Sequence, residues 1–149
     1  MRKIGFVIIS IILVICISCS SKKLQIYSIK NTCDISVYLI KDEQIKDYYS
    51  TKDIAAANKI LSVNDFASIK EKKDNDRVLF FAVINKEKQN TILKSWNDNV
   101  GNWIIIRINN KDTIIAKILD QKETVEEIYI WDNSKSGIIT MDSIISSKK

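Results

Sequence analysis

Two dense apolar runs, Val78-Leu79-Phe80-Phe81-Ala82-Val83-Ile84 and Trp103-Ile104-Ile105-Ile106-Arg107-Ile108, dictate most of what this chain can become. Each is strand-length and rich in branched and aromatic side chains, so each predicts a strand, the first largely buried because its apolar run is continuous. Between them Ile92, Leu93, Trp96 and Val100 recur at spacings of one, three and four, the apolar stripe of a helix. Asn85 stands at the N-cap position of that helix, and Gly101 falls where a helix stops. A strand, a helix and a second strand therefore follow one another.

The neighbouring segments extend this pattern. Leu24, Ile26 and Ile29 lead into Ile35-Ser36-Val37-Tyr38-Leu39-Ile40, a β-like run. Ser50 to Ala57 offers an N-cap, an early acid and alanines, which predicts a short helix. Lys70 to Asp76 is densely charged and reads as a loop. Asn109-Asn110-Lys111-Asp112 reads as a hairpin turn leading to a strand over Thr113 to Leu119, since asparagine tolerates positive φ. Val125, Ile128, Ile130 and Trp131 predict a further strand, and Gly137 to Thr140 a short edge strand before a polar tail. The order implies an α+β domain with a mostly antiparallel sheet and two helices on one face.

The N-terminus reads as an export signal. Arg2 and Lys3 precede an apolar stretch of about 14 residues, Ile4 to Ile17, which breaks into Ser18-Cys19-Ser20-Ser21-Lys22-Lys23. A spanning helix needs about 20 apolar residues, so the stretch is short for a permanent span. Bacterial lipoprotein signals carry a cysteine behind small residues, which is acylated and becomes the new N-terminus. Cys19 follows Ser18, whereas Cys16 follows bulky Ile15, so Cys19 is the expected lipidation site. An ordinary cleaved signal, cut near Ser20, and an uncleaved short anchor are the competing readings. On the lipoprotein reading residues 1–18 are signal peptide, 19–23 a lipidated tether and 24–149 a single domain. That domain would sit in the cell envelope, facing the periplasm from the inner or outer membrane.

Removal of the signal takes two positive charges from a formal net charge of +5, leaving a mildly basic domain with interspersed lysines and acids. Such mixing describes a solvated surface and gives no footprint for nucleic acid. Strand Trp103 to Arg107 is aromatic and basic, as single-strand platforms are, but one arginine is a thin stripe. Of the mature cysteines only Cys33 remains, so it is either a buried small hydrophobe, the favoured reading, or an intermolecular partner.

Tyr38 to about Ile118 resembles the head of the first periplasmic domain of SecD, a component of bacterial protein export. The resemblance rests on Asp53-Ile54-Ala55-Ala56-Ala57 after a strand, then Val78-Leu79-Phe80-Phe81-Ala82-Val83. A helix ending in Asn99-Val100-Gly101 follows, and then the strand–turn–strand from Trp103 to Ala116. It departs from the family in the turn, which is usually Asp-Gly, at Ala116, where proline is usual, and in lacking a Gly-rich stretch afterwards. It implies a ferredoxin-like head over residues 38–118 used for protein contact, and supplies no catalytic residue.

Chemistry has few footholds in the sequence. With no histidine there is no Ser-His or Cys-His nucleophile, and Cys33 has no companion for a metal. Asp42-Glu43 and Glu126-Glu127 are adjacent carboxylates, which on a strand point to opposite faces. A Ser-Lys dyad has no spacing in its favour, and no Gly-rich phosphate loop appears. No catalytic, cofactor-binding or metal residue is assigned. The large anchors are Trp96, expected in the core, and Trp103 and Trp131 at strand ends, where either is a candidate protein contact. The expected function is non-enzymatic protein binding from a membrane anchor. An immunity or inhibitor lipoprotein and a structural envelope lipoprotein are the alternatives.

Overall fold

The computed structural model describes residues 24–55, 57–133 and 140–148, the side chains of residues 147 and 148 excepted. The chain is α+β, and among the described residues all strand pairings are antiparallel. Its strands are β1 (Gln25–Ile29), β2 (Ile35–Ile40), β3 (Asn58–Leu61), β4 (Phe66–Asp74), β5 (Arg77–Ile84), β6 (Trp103–Ile108), β7 (Lys111–Lys117), β8 (Glu127–Asp132) and β9 (Ile145–Lys148). Helix α1 (Ile45–Thr51) joins β2 to β3, and helix α2 (Lys86–Asn97) joins β5 to β6.

The strands form two sheets where the sequence implied one. A five-stranded sheet runs β8-β5-β4-β1-β9 and a four-stranded sheet β3-β2-β6-β7. One continuous core joins them: Ile69, Phe80, Ala82 and Ile128 from the larger sheet, Ile35, Val37, Ile104 and Ile106 from the smaller, and Ile92 from α2. The smaller sheet also buries its other face. There Ile40 and Ile105 pack with Ile45 and Tyr48 of α1. A sheet covered on both sides reads as unbroken apolar sequence, which accounts for Ile104-Ile105-Ile106. The two helices therefore do not share one face: α1 covers the smaller sheet while α2 feeds the common core.

Several expectations about local structure change. The short helix lies at Ile45–Thr51, ahead of the predicted Ser50 to Ala57. Lys52 ends it in the left-handed region at φ 57°, and the Asp53 carboxylate then accepts from the Ala55 N–H at 2.8 Å, closing a turn. The charged stretch Lys70 to Asp76 is mostly strand. In β4 the residues alternate, so Ile69 enters the core while Lys70 and Lys72 turn away. Val100 leaves the helix stripe and is 41% exposed, because α2 ends at Asn97. The tail contributes β9 beside β1, with Ile144 buried ahead of it. The expected edge strand from Gly137 falls outside the described residues.

Other features follow the sequence closely. Asn109 and Asn110 turn β6 into β7 with φ of 50° and 63°, both left-handed as a two-residue hairpin loop requires. Gly101 has φ 93°, available cheaply only to glycine, but it lies in the turn before β6 and does not stop the helix, which ends at Asn97. Cys33 is buried, and burial pushes its thiol up to about 11. Among the described residues no helix is long and apolar enough to cross a membrane.

Candidate functional site

A cleft of about 490 Å³ opens where β7 and β8 end their respective sheets. Its floor is built from alternate residues of β6 and β7: Ile104, Ile106, Ile114 and Ala116. These positions point toward the larger sheet, but β8 is that sheet's last strand in the order, so Ile114 and Ala116 stay half-buried instead of fully covered. Val125 and Ile128 supply the facing wall, and Trp96 of α2 closes one end. A second hollow of about 520 Å³ is lined by polar Ser28, Lys30, Asn31 and Asn64 together with apolar Ile29, Val63, Phe66 and Ala67.

The far wall is held by hydrogen bonds to α2. The Trp96 indole N–H donates to the Asp120 carbonyl at 3.2 Å. Asn97 brackets Lys122, donating to its carbonyl at 3.0 Å and accepting from its N–H at 2.8 Å. The β7–β8 connection is thus tied to a helix, and its residues Lys122, Thr124, Val125 and Glu126 line the cleft.

The mouth is charged. Lys70 donates to Glu127 at 2.8 Å, and Lys72 bonds the other oxygen of the same carboxylate. Burial pushes the Glu127 carboxyl up, but the hydrogen bonds and charges of the two lysines outweigh it and hold it below its ordinary value. The Lys72 ammonium also lies 4.4 Å from the centre of the Phe81 ring, which packs 5.7 Å from Tyr129. Lys122 and Glu126 complete the rim.

Of the residues singled out from the sequence, Trp96, Glu126 and Glu127 line this cleft, and the others lie elsewhere. Cys19 falls outside the described residues. Trp103 is half-buried at the start of β6, on the α1 side; its indole N–H donates to Asp42 at 2.7 Å and its ring meets Tyr49 edge-on at 6.4 Å. Hydrogen bonds from Lys117 and then Trp103 hold the Asp42 carboxyl below its usual range. Trp131 is only 4% exposed, stacked at 5.0 Å on Phe80 in the core, so it offers no surface to a partner. The bulge of β8 opposite Phe80 and Phe81 turns it inward, a detail that alternation alone does not show.

A second polar cluster joins α1 to the smaller sheet. The Tyr48 hydroxyl donates to Asp112 at 2.6 Å, and Arg107 donates to the same carboxylate at 2.7 Å and to the Lys52 carbonyl at 3.2 Å. Burial, then the bond to Asp112, pushes the Tyr48 hydroxyl up to about 12, which makes it a firm donor and a poor base. The groups face one another inside the fold, an arrangement that clamps a helix. Among the described residues no three of the usual metal-ligand side chains converge.

Compared with known proteins, the chain matches no family model, no curated protein and no solved structure. The cleft itself was missed from sequence, because Ile104, Ile106 and Ile114 look like any core isoleucines. The nearest signal was the spacing of two between Lys70 and Lys72, which places both on one strand face with room for a shared acid.

Proposed function

We propose that this chain is a lipoprotein anchored through Cys19 outside the cytoplasmic membrane, where it works by binding another protein and not by catalysis. The observation that carries the binding reading is the isoleucine-floored cleft between β7 and β8, with its charged mouth. A concave apolar floor with a few placed polar groups is the physical form of a binding site. The rim ions would orient an incoming segment, while the buried floor supplies the affinity. The ordered signal features from Arg2 to Cys19 support the anchor. The sequence order of strand, short helix, strand, helix and hairpin over residues 38–118 favours the narrower reading, a ferredoxin-like relative of the SecD head that contacts exported chains or envelope proteins.

The test is a photo-crosslinking side chain placed at Thr124, on the cleft lining, in cells carrying the full chain. The reading expects a discrete crosslinked partner that disappears when Ala116→Arg fills the cleft, with the thermal midpoint of that variant unchanged. A product that survives Ala116→Arg, or no product at all, contradicts cleft binding.

A further inference from the structure

The smaller sheet ends in two unequal edges. At one edge β3 is four residues long and opens on polar Asn58 and Lys59, which blunts it. At the other, β7 runs for seven residues with Ile114-Ile115-Ala116 at its centre. Among the described residues no strand pairs with the outer side of β7. Such an edge presents a row of unpaired backbone N–H and carbonyl groups, a template for a further strand.

The register identifies the residues that carry those groups. The Ile118 N–H donates to the Asn102 carbonyl at 2.9 Å, so Ile118 turns toward β6. In an antiparallel pair, residues that bond across the pair alternate with residues whose backbone groups face away. Ala116 opposite Ile104 and Ile114 opposite Ile106 therefore bond to β6, while Ile115 and Lys117 aim their N–H and carbonyl groups out of the sheet edge. The side chains alternate too. Ile114 and Ala116 form the cleft floor, whereas Ile115 and Lys117 lie on the α1 side, where Lys117 pairs with Asp42 at 2.8 Å. The open backbone and the apolar floor belong to the same stretch of strand.

Charge narrows the occupant. Glu127 is taken up by Lys70 and Lys72, but on the same rim Lys122 and Glu126 form no ion pair among the described residues. Asn97 holds the backbone of Lys122 beyond the end of β7. A second copy of β7 has no acid to offer Lys122, because Asp112 is already engaged by Arg107 and Tyr48.

We propose that the partner enters the cleft as an extended segment of another protein and adds to the smaller sheet as a further strand beside β7. Its side chains on the cleft side are apolar at alternate positions and continue the row of Ile114 and Ala116 toward Val125 and Ile128. It also carries an acid for Lys122 and a base for Glu126. In strand addition the main-chain bonds supply affinity and the alternate side chains select the sequence. This inference rests on the cleft-binding reading.

The test uses the full chain in cells, with the photo-crosslinking side chain at Thr124 on the cleft lining. Proline at position 117 removes the outward N–H and leaves the bonds to β6 in place, since an edge strand tolerates proline there. The crosslinked yield is expected to fall roughly tenfold from Lys117→Ala to Lys117→Pro, which differ chiefly in that N–H. Lys122→Glu is expected to lower the yield by roughly threefold or more. If the thermal midpoint of the proline variant collapses, amide hydrogen exchange on the purified adduct decides. Ile115 and Lys117 are expected to exchange freely in the uncrosslinked chain and roughly tenfold or more slowly in the adduct. Equal yields from the two folded Lys117 variants, or exchange at Ile115 and Lys117 that crosslinking leaves unchanged, overturn strand addition and leave cleft binding standing. A crosslinked peptide from a second copy of this chain overturns the choice of occupant. No product at all overturns cleft binding, and strand addition with it.

Discussion

Arg107 and Asp112 face each other across the β6–β7 hairpin, Nε to Oδ1 at 2.7 Å, and the Tyr48 hydroxyl of α1 completes the carboxylate. Both charged side chains are mostly buried, at 17% and 18% exposure, so removing one strands the other. Asp112→Ala is expected to cost about 3 kcal/mol, in the range for breaking a buried pair. The double variant Arg107→Met with Asp112→Leu is expected to cost less than Asp112→Ala alone. Urea unfolding of the three proteins checks this; a double variant that is the least stable would show that the pair contributes more than its desolvation costs.

Glu127 gives an acid-dependent contribution with a definite sign. Its carboxyl is held below its ordinary value in the folded chain, chiefly by Lys70 and Lys72 against the opposing effect of burial. That stability is therefore fully present above the unfolded glutamate value of about 4.3 and is lost as the pH falls through the lower folded value. Glu127→Gln should lower the urea midpoint at about pH 7 and narrow the difference between about pH 7 and about pH 3. An unchanged pH dependence would remove Glu127 from the account.

Cys33 titrates in the opposite direction. Its thiol is pushed up to about 11, so its contribution is full below the unfolded value and declines as the pH rises from there through about 11. In the folded chain it should resist a thiol reagent at neutral pH and react at once in denaturant. Cys33→Ser is expected to destabilise by about 1–3 kcal/mol, since it buries a hydroxyl in the apolar core. Rapid labelling of the native protein would contradict its burial.

The two turn asparagines should respond differently to glycine. Both have positive φ, which glycine adopts without strain. Asn110→Gly is expected to be nearly neutral, because relief of the left-handed backbone is offset by the greater freedom of glycine in the unfolded chain. The Asn109 side chain, however, accepts from the Asp34 N–H at 2.9 Å, so Asn109→Gly loses a hydrogen bond worth about 1 kcal/mol. Thermal midpoints of the two variants separate backbone relief from side-chain loss.

The parts legible from sequence were those that a local pattern determines. Strands β5 and β6, helix α2 and the Asn109-Asn110 turn each follow from periodicity or from a residue's own φ preference. Strand β4 was hidden because Lys70, Lys72 and Lys73 look solvated, and only their pairing with Glu127 and with β5 makes them strand residues. Helix α1 was displaced toward alanines that Lys52 and Asp53 cut off from it. The division into two sheets depends on which distant strands pair, so β9 in an apparently polar tail could not be anticipated. The cleft depends on where the larger sheet ends opposite Ile114 and Ala116, a non-local fact with no trace in their own neighbourhood.

The anchor at Cys19 is the central claim of the proposed function. Intact mass together with membrane fractionation of the native chain beside a Cys19→Ala variant tests it most directly. The account predicts acyl mass and membrane association for the native chain, with the variant either released or retaining its signal sequence. Native and variant chains that are equally soluble and equally free of acyl mass would contradict it.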